Sequence, residues 1–488
     1  MTQFGRVLTR PPTPRPVRTD AVVVGAGPNG LAAAITLARE GYSVRVLEAE
    51  AEIGGGTRSE ERTLPGFVHD VCSAVHPLAV ASPFLRSLPL ERHGLEWVHP
   101  DLPLAHPLDD RPAATLERAL EATAAGLGAD GAAWRDLFGP LVERWGRVVE
   151  VALASPLPPV HAGTALRLAV LGLRSAWGLA DARFEGPAAR ALLGGIAAHS
   201  TLPLDRRLTA GVALLLGAAG HAVGWPFPRG GAGRIAGALA AHLTELGGEI
   251  ETGRRIRSLG ELPAARVTLL DVTPAQLLAI AGDALPGGYR RRLEGWRYGP
   301  AAFKVDWALD GPVPWSDPAC ARAGTLHLGG TFEEIAAAEA AVARGRVPDR
   351  PFVLLSQPSL FDPTRAPVAR HVLWGYTHVP HGSTADALEG IERQIERFAP
   401  GFRDRVLARA VLDPAGLERH DANLVGGSIG GGVQDLGQTL ARPIPGPRPW
   451  VVPVRGLYLC SAATPPGAGV HGMCGHLAAR AALARELR

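Results

Sequence analysis

The sequence is almost without lysine. Of its 50 basic residues only Lys304 is lysine, and the rest are arginine. A bias this strong reflects coding composition and leaves arginine wherever arginine serves. A lysine that persists marks a position needing a compact ammonium whose pKa can be lowered. Cysteine is scarce too. Cys72, Cys320, Cys460 and Cys474 are widely spaced and none forms a C-x-x-C pair, so they read as four reduced thiols, and a dithiol–disulfide redox mechanism is out. The formal net charge is only +3, with no interleaved basic and aromatic residues, and gives no case for nucleic acid. No uncharged apolar run is long enough to span a bilayer. The Pro- and Arg-rich stretch 1–18 lacks the apolar core of a secretory signal. It reads as a disordered lead-in, and the expected location is cytoplasmic. His199, His221, His327, His378 and His471 are candidates for lining a substrate chamber, but no pair shows metal-ligand spacing, and no metal is expected.

What is present is the composition of a globular protein long enough for more than one domain: 488 residues, 46% hydrophobic and 20% charged. The ordered part opens as strand, helix, strand. Asp20–Gly25 is a short apolar run, Pro28–Glu40 is rich in Ala and Leu, and Ser43–Leu47 is apolar again. Between the first strand and the helix lies Gly25-Ala26-Gly27-Pro28-Asn29-Gly30. In such a loop the first glycine permits the tight turn, the second lets a diphosphate approach the backbone, and the third lets helix and strand pack closely. Glu48 ends the second strand, where a carboxylate can accept both ribose hydroxyls and would repel a 2′-phosphate. A second cluster, Gly54-Gly55-Gly56-Thr57-Arg58, is unnecessary for a nicotinamide dinucleotide. It suits the longer, extended FAD, with Arg58 reaching a phosphate or the flavin end. Near the C-terminus the strand Gly456–Cys460 runs through Ala462 into a loop holding Gly467, Gly469, Val470, His471, Gly472 and Met473, then into a helix reaching about Leu487. The free N–H groups and partial positive charge of that helix would stabilise the negative charge of a reduced flavin.

Elsewhere, about 75–221 reads as mainly helical, Arg234–Leu246 as an amphipathic helix and Glu249–Ile256 as a strand. Ala302–Leu309 and His371–Tyr376 read as strands, and Thr384–Phe398 as a helix. The apolar helices Thr164–Gly178 and Leu208–Ala222 read as a cap over a chamber; with Arg167 and Arg174 on the first, a peripheral membrane contact is the second reading. Trp374, Tyr376 and His378 alternate on one strand face, as flavin wall or as core.

These motifs, together with Pro65-Gly66-Phe67, Gly224-Trp225-Pro226, Phe303–Leu309 and Asp362–Pro367, resemble the FAD-dependent phytoene desaturase and amine oxidase superfamily. Within it they are similar to the pyridine nucleotide-disulfide oxidoreductase domain-containing protein 2-like (phytoene desaturase-like) branch. The resemblance runs from about residue 20 to the end. It implies a mixed α/β flavoprotein of the two-dinucleotide-binding-domain fold. The Rossmann-like FAD domain would be discontinuous (19–75, 226–290 and 416–488), with a substrate domain of helices and antiparallel sheet (76–225 and 291–415). In that family a longer hairpin occupies the place of Arg257–Leu270, so Ile256 becomes a weaker adenine contact. The resemblance also implies that Lys304, the candidate catalytic residue, reaches a water beside the flavin, where a cation helps electron transfer to oxygen; a core-edge lysine is the bland alternative.

No second G-x-G-x-x-G is found, so no dedicated NAD(P)H domain is expected. The leading expectation is an FAD-dependent dehydrogenase, desaturase or oxidase taking a hydride from a C–H bond of a largely apolar small molecule, with electrons passing to oxygen or a quinone-type acceptor. The alternatives are an amine or amino-acid oxidase, catalysis of an isomerisation without net redox, and a non-redox binding protein on the same fold. The intact glycines and Glu48 argue against the last.

Overall fold

Two sheets organise the chain, and the site lies between them. In the computed structural model, residues 19–154 and 160–487 are described; the expected lead-in at 1–18 and most of the Pro-rich break at Ser155–Val160 lie outside them. The first sheet is five-stranded and wholly parallel, in the order Leu457–Leu459, Val267–Leu270, Ala21–Val24, Val44–Leu47, Glu249–Glu251. Except for the edge strand Glu249–Glu251, its strands are short and mostly apolar and buried, the usual state of a parallel sheet covered by helices. The helices Pro28–Ala38 and Met473–Arg485 pack tightly together. Gly475 makes that crossing feasible: a Cβ there would lie 1.8 Å from the Asn29 carbonyl oxygen. The mixed α/β dinucleotide-binding architecture is thus borne out, and its sheet is assembled from three separated parts of the chain.

The second sheet has seven strands, ordered Val406–Leu412, Ala301–Leu309, His371–Val379, Val353–Ser356, Ala323–Leu328, Leu102–His106, Ala114–Leu116. All neighbours are antiparallel except Ala323–Leu328 with Leu102–His106. The region 75–221 is mainly helical, as expected, but also supplies the last two strands of this sheet. Leu102–His106 is buried at every position, and a short, wholly buried run carries no periodicity to separate strand from helix. Two further differences concern boundaries. The strand expected to reach Ile256 stops at Glu251, and only a 3₁₀ turn, Leu259–Glu261, stands before the next strand. The helix expected at Thr164–Gly178 is two helices, Ala162–Gly172 and Ala176–Arg183, the second capped by the Ser175 side chain accepting from the Gly178 N–H. The first exposes Leu166 and Val170 to solvent. Its Gly172 lies against Gly211 of the buried helix Thr209–Ala222. No helix among the described residues is long and apolar enough to cross a membrane.

Candidate active site

One continuous cavity of about 860 Å³ runs from the C-terminal edge of the parallel sheet to the face of the second sheet. Gly25, Gly27, Pro28, Asn29 and Glu48 line one end, and Gly55, Gly56, Thr57 and Arg58 follow. Gly25 has φ +100°, a left-handed conformation that favours glycine. A Cβ on Gly27 would sit 3.1 Å from an Asp271 carboxylate oxygen, and one on Gly30 would sit 2.0 Å from the Gly25 carbonyl oxygen. Gly30 and Gly54 do not line the cavity; Gly30 acts beneath it, letting the helix start against the strand. The Gly27 N-cap of that helix carries no side-chain cap; Pro28 has no N–H, the Gly30 N–H goes to Asp271 and the Leu31 N–H to the Gly27 carbonyl, which leaves the Asn29 N–H of the first turn for an anion.

Glu48 is fixed before any ligand arrives. One carboxylate oxygen accepts from the Ala26 N–H at 2.7 Å and the other from the Glu50 N–H at 2.9 Å. Each oxygen keeps a lone pair for a hydroxyl donor. Arg58 donates to the carbonyls of Gly55 (3.2 Å) and His420, which ties the second glycine cluster to the segment before Asp421. Ile256 lines this end together with Arg254, Arg255 and Arg257.

The C-terminal loop meets the cavity through Ser461–Ala463 and Ala468–Val470, including the expected Ala462, Gly469 and Val470. Gly467, His471, Gly472 and Met473 are not among the lining residues. His471 is fully buried, and its Nδ1 accepts the Met473 N–H at 3.1 Å. The residue expected beside a flavin therefore takes up an N–H at the start of the last helix. Gly472 is close-packed, since a Cβ there would meet Ala32 at 3.0 Å.

Asp271 was not picked out from sequence. It follows the strand Val267–Leu270 as Glu48 follows Val44–Leu47, and that repeated pattern is the signal that could have found it. One of its carboxylate oxygens accepts the Gly30 N–H at 2.8 Å. Burial raises its pKa, the Gly30 N–H opposes this, and the charges of Asp421 and Glu48 raise it further, to about 7. Because the folded value lies above the ordinary carboxyl value, the group contributes stability that is full below the ordinary value and is lost as pH rises through about 7. An ionised Asp271 beside the glycine loop would also repel a diphosphate. Dinucleotide affinity is therefore expected to fall as pH rises through about 7, and Asp271→Asn is expected to flatten that dependence. Fluorescence titration of apoprotein checks both; affinity rising with pH would contradict the assignment.

At the far end the floor is the second sheet. Lys304, Tyr376 and Leu354 stand in one cross-strand row, and Asp306, Trp374, Ser356 and Thr325 in the next. Lys304 is buried yet lines the cavity. Its ammonium donates to the Asp70 carbonyl at 2.7 Å and to the Asp306 carboxylate. Burial lowers the Lys304 pKa against the pull of Asp306. Burial acts upward on Asp306, but Lys304 and His69 outweigh it and hold the carboxylate ionised. Asp70 is clamped in turn by Arg365, 2.9 Å away. The lone lysine is thus a positioned cation within a buried network.

The expected histidines separate. His199 lines the cavity, its Nε2 lies 3.0 Å from that of His327, and burial pushes its pKa down to about 3. His327 and His378 lie outside the lining; His378 is held by Glu339 at 2.9 Å. The Trp134 indole N–H donates to His221 at 3.1 Å, within the helical core. Of the aromatic strand, Trp374 and Tyr376 face the cavity and His378 does not.

Fold and site define a dinucleotide-binding domain with a separate sheet facing its cleft, and the comparisons place the chain among oxidoreductases. Residues 23–87 match the NAD(P)-binding Rossmann-like domain family. The chain is 28% identical to the mouse pyridine nucleotide-disulfide oxidoreductase domain-containing protein 2, across 94% of this chain and 92% of that protein. It is 27% identical to phytoene dehydrogenase of Streptomyces griseus, across 84% and 80%. Its fold is similar to that of an oxidoreductase from Methanosarcina mazei (TM-score 0.64, 16% identity, 96% of this chain and 100% of that one). It is also similar to cyclohexylamine oxidase from Brevibacterium oxydans (TM-score 0.61, 17% identity, 96% and 100%). Both relatives match this chain along most of its length, and both solved structures share its fold.

Proposed function

We propose that this protein binds FAD and removes a hydride from a C–H bond of a largely apolar small molecule, with the electrons leaving to oxygen or a quinone-type acceptor. The observation that carries this reading is the continuity of the cavity. Glycine loops that accept a dinucleotide and an apolar chamber share one space. The residues present fit FAD. Gly25, Gly27 and the first turn at Pro28 and Asn29 would take the diphosphate, and Glu48 the adenosine ribose, with Ile256 beside the adenine. Gly55–Arg58 and Ala468–Val470 would flank the part nearest the second sheet. When bound, the flavin supplies the hydride-accepting chemistry.

The protein's part is to orient the substrate and exclude water. Val212, Leu215 and Leu216 of the buried helix face the cavity, as do Leu354, Leu417 and Ile429. The exposed face of the helix Ala162–Gly172 is where a peripheral membrane contact, the second reading of that helix, would form. Among the polar groups on the sheet side of the lining, the Thr325 hydroxyl and the Trp374 indole N–H are buried without a protein partner. An indole N–H can only donate, so it favours a substrate or cofactor oxygen over an ammonium. The anaerobic holoprotein is expected to bleach its flavin with apolar alcohols or polyenes. Faster bleaching by primary amines would transfer the assignment to the amine oxidase alternative, and no bleaching by any of these would contradict a redox role toward them.

A further inference from the structure

We infer that His93, His242 and Glu245 form a zinc-binding site on the outer face of the dinucleotide domain, remote from the cavity lining. His242 and Glu245 lie three residues apart on the helix Gly233–Glu245 and share its face. His93 ends the 3₁₀ turn Leu90–His93, and Gly94 follows at φ +83°. The turn is held to the helix by buried Leu90 and Leu95 in the same core cluster as Leu239 and Leu243. The turn and the helix that carry the three residues are therefore held together by packing that needs no metal.

Two of the three ligand–ligand distances suit a tetrahedral ion. His93 Nε2 lies 3.1 Å from Glu245 Oε2, His242 Nδ1 lies 3.3 Å from the same oxygen, and all three ligand atoms lie within 4.8 Å of one another. Metal–ligand bonds of about 2.0–2.1 Å place neighbouring ligands of a tetrahedron about 3.3 Å apart. Two of the three edges already have that length. The rings are sheltered while the glutamate side chain is 61% exposed, which leaves a fourth position for water. Two imidazoles and one carboxylate are a ligand set suited to zinc, and the imidazoles must be neutral to bind it. The ion would cross-link the turn to the helix.

The test is calorimetric titration of chelator-treated, flavin-loaded, full-length protein with zinc chloride alone. One equivalent is expected to bind in the micromolar range or tighter, with a higher melting temperature and unchanged flavin absorbance. His93→Gln and His242→Gln should each weaken binding at least about 10-fold, and the double variant should abolish the thermal shift while keeping its flavin. Retained flavin in the double variant reports that the chain is folded. Wild-type binding no tighter than millimolar, or unchanged binding in the folded double variant, would overturn the site.

Discussion

Gly30→Ala is expected to cost the protein its dinucleotide. The added Cβ would lie 2.0 Å from the Gly25 carbonyl oxygen and 3.0 Å from its carbon. Both atoms belong to the backbone of the turn that must cradle a diphosphate, so neither can move without opening the loop. Relief requires the helix Pro28–Ala38 to shift from the strand Ala21–Val24, and that helix is buried along nearly its entire length between its neighbours. Overpacking of this kind costs about 1–3 kcal/mol in stability, and the loop distortion falls directly on the ligand. Retained FAD per chain should drop at least about 100-fold in apparent affinity, a little under 3 kcal/mol by the usual conversion. Flavin content after gel filtration, with a thermal melt, checks this. Gly237→Ala is the control. Gly237 is exposed on the helix Gly233–Glu245, and an added Cβ would meet nothing within 4 Å. It should keep its flavin and gain stability, since alanine is favoured over glycine in a helix by up to about 1 kcal/mol. Wild-type flavin retention by Gly30→Ala would contradict the role of this loop.

Lys304→Met should slow reoxidation of the reduced flavin by oxygen, by about 100-fold if the ammonium supplies the local positive charge. The buried network adds a cost invisible from the residue alone. The substitution removes the partner of Asp306, and breaking a buried ion pair costs about 3–5 kcal/mol when nothing else compensates the remaining charge. Here Arg62, at 3.5 Å, and His69, at 3.4 Å, remain beside Asp306, so a smaller loss is expected. Lys304→Met/Asp306→Leu removes both charges and separates the two effects. It should recover stability while reoxidation stays slow. Stopped-flow mixing of reduced holoprotein with oxygenated buffer measures the rate. Wild-type reoxidation in either variant would leave Lys304 a structural cation only.

The contrast between these positions shows what was readable from sequence. Gly25, Gly27, Gly30 and Glu48 are close in the chain, and their spacing encodes a turn whose geometry is local, so the turn and its carboxylate were legible. That Lys304 and Asp306 share a face was legible too, because alternation along a strand is local. The other Lys304 acceptor, the Asp70 carbonyl, is 234 residues away, and no pattern announces a backbone acceptor at that distance. His471 looked like a cofactor contact because it follows a glycine loop. Its burial and its bond to the Met473 N–H depend on tertiary packing. Leu102–His106 was missed as a strand because full burial erases the alternation that marks one. His93 and Glu245 are 152 residues apart, so ligand spacing within the sequence could not reveal the cluster they form with His242.

The account stands most directly on the cofactor. The measurement is the identity and amount of flavin released when the purified full-length protein is denatured, read by visible absorbance and mass spectrometry. A yellow protein releasing FAD, near one per chain after reconstitution, is the predicted result. A colourless protein that takes up no FAD would contradict it.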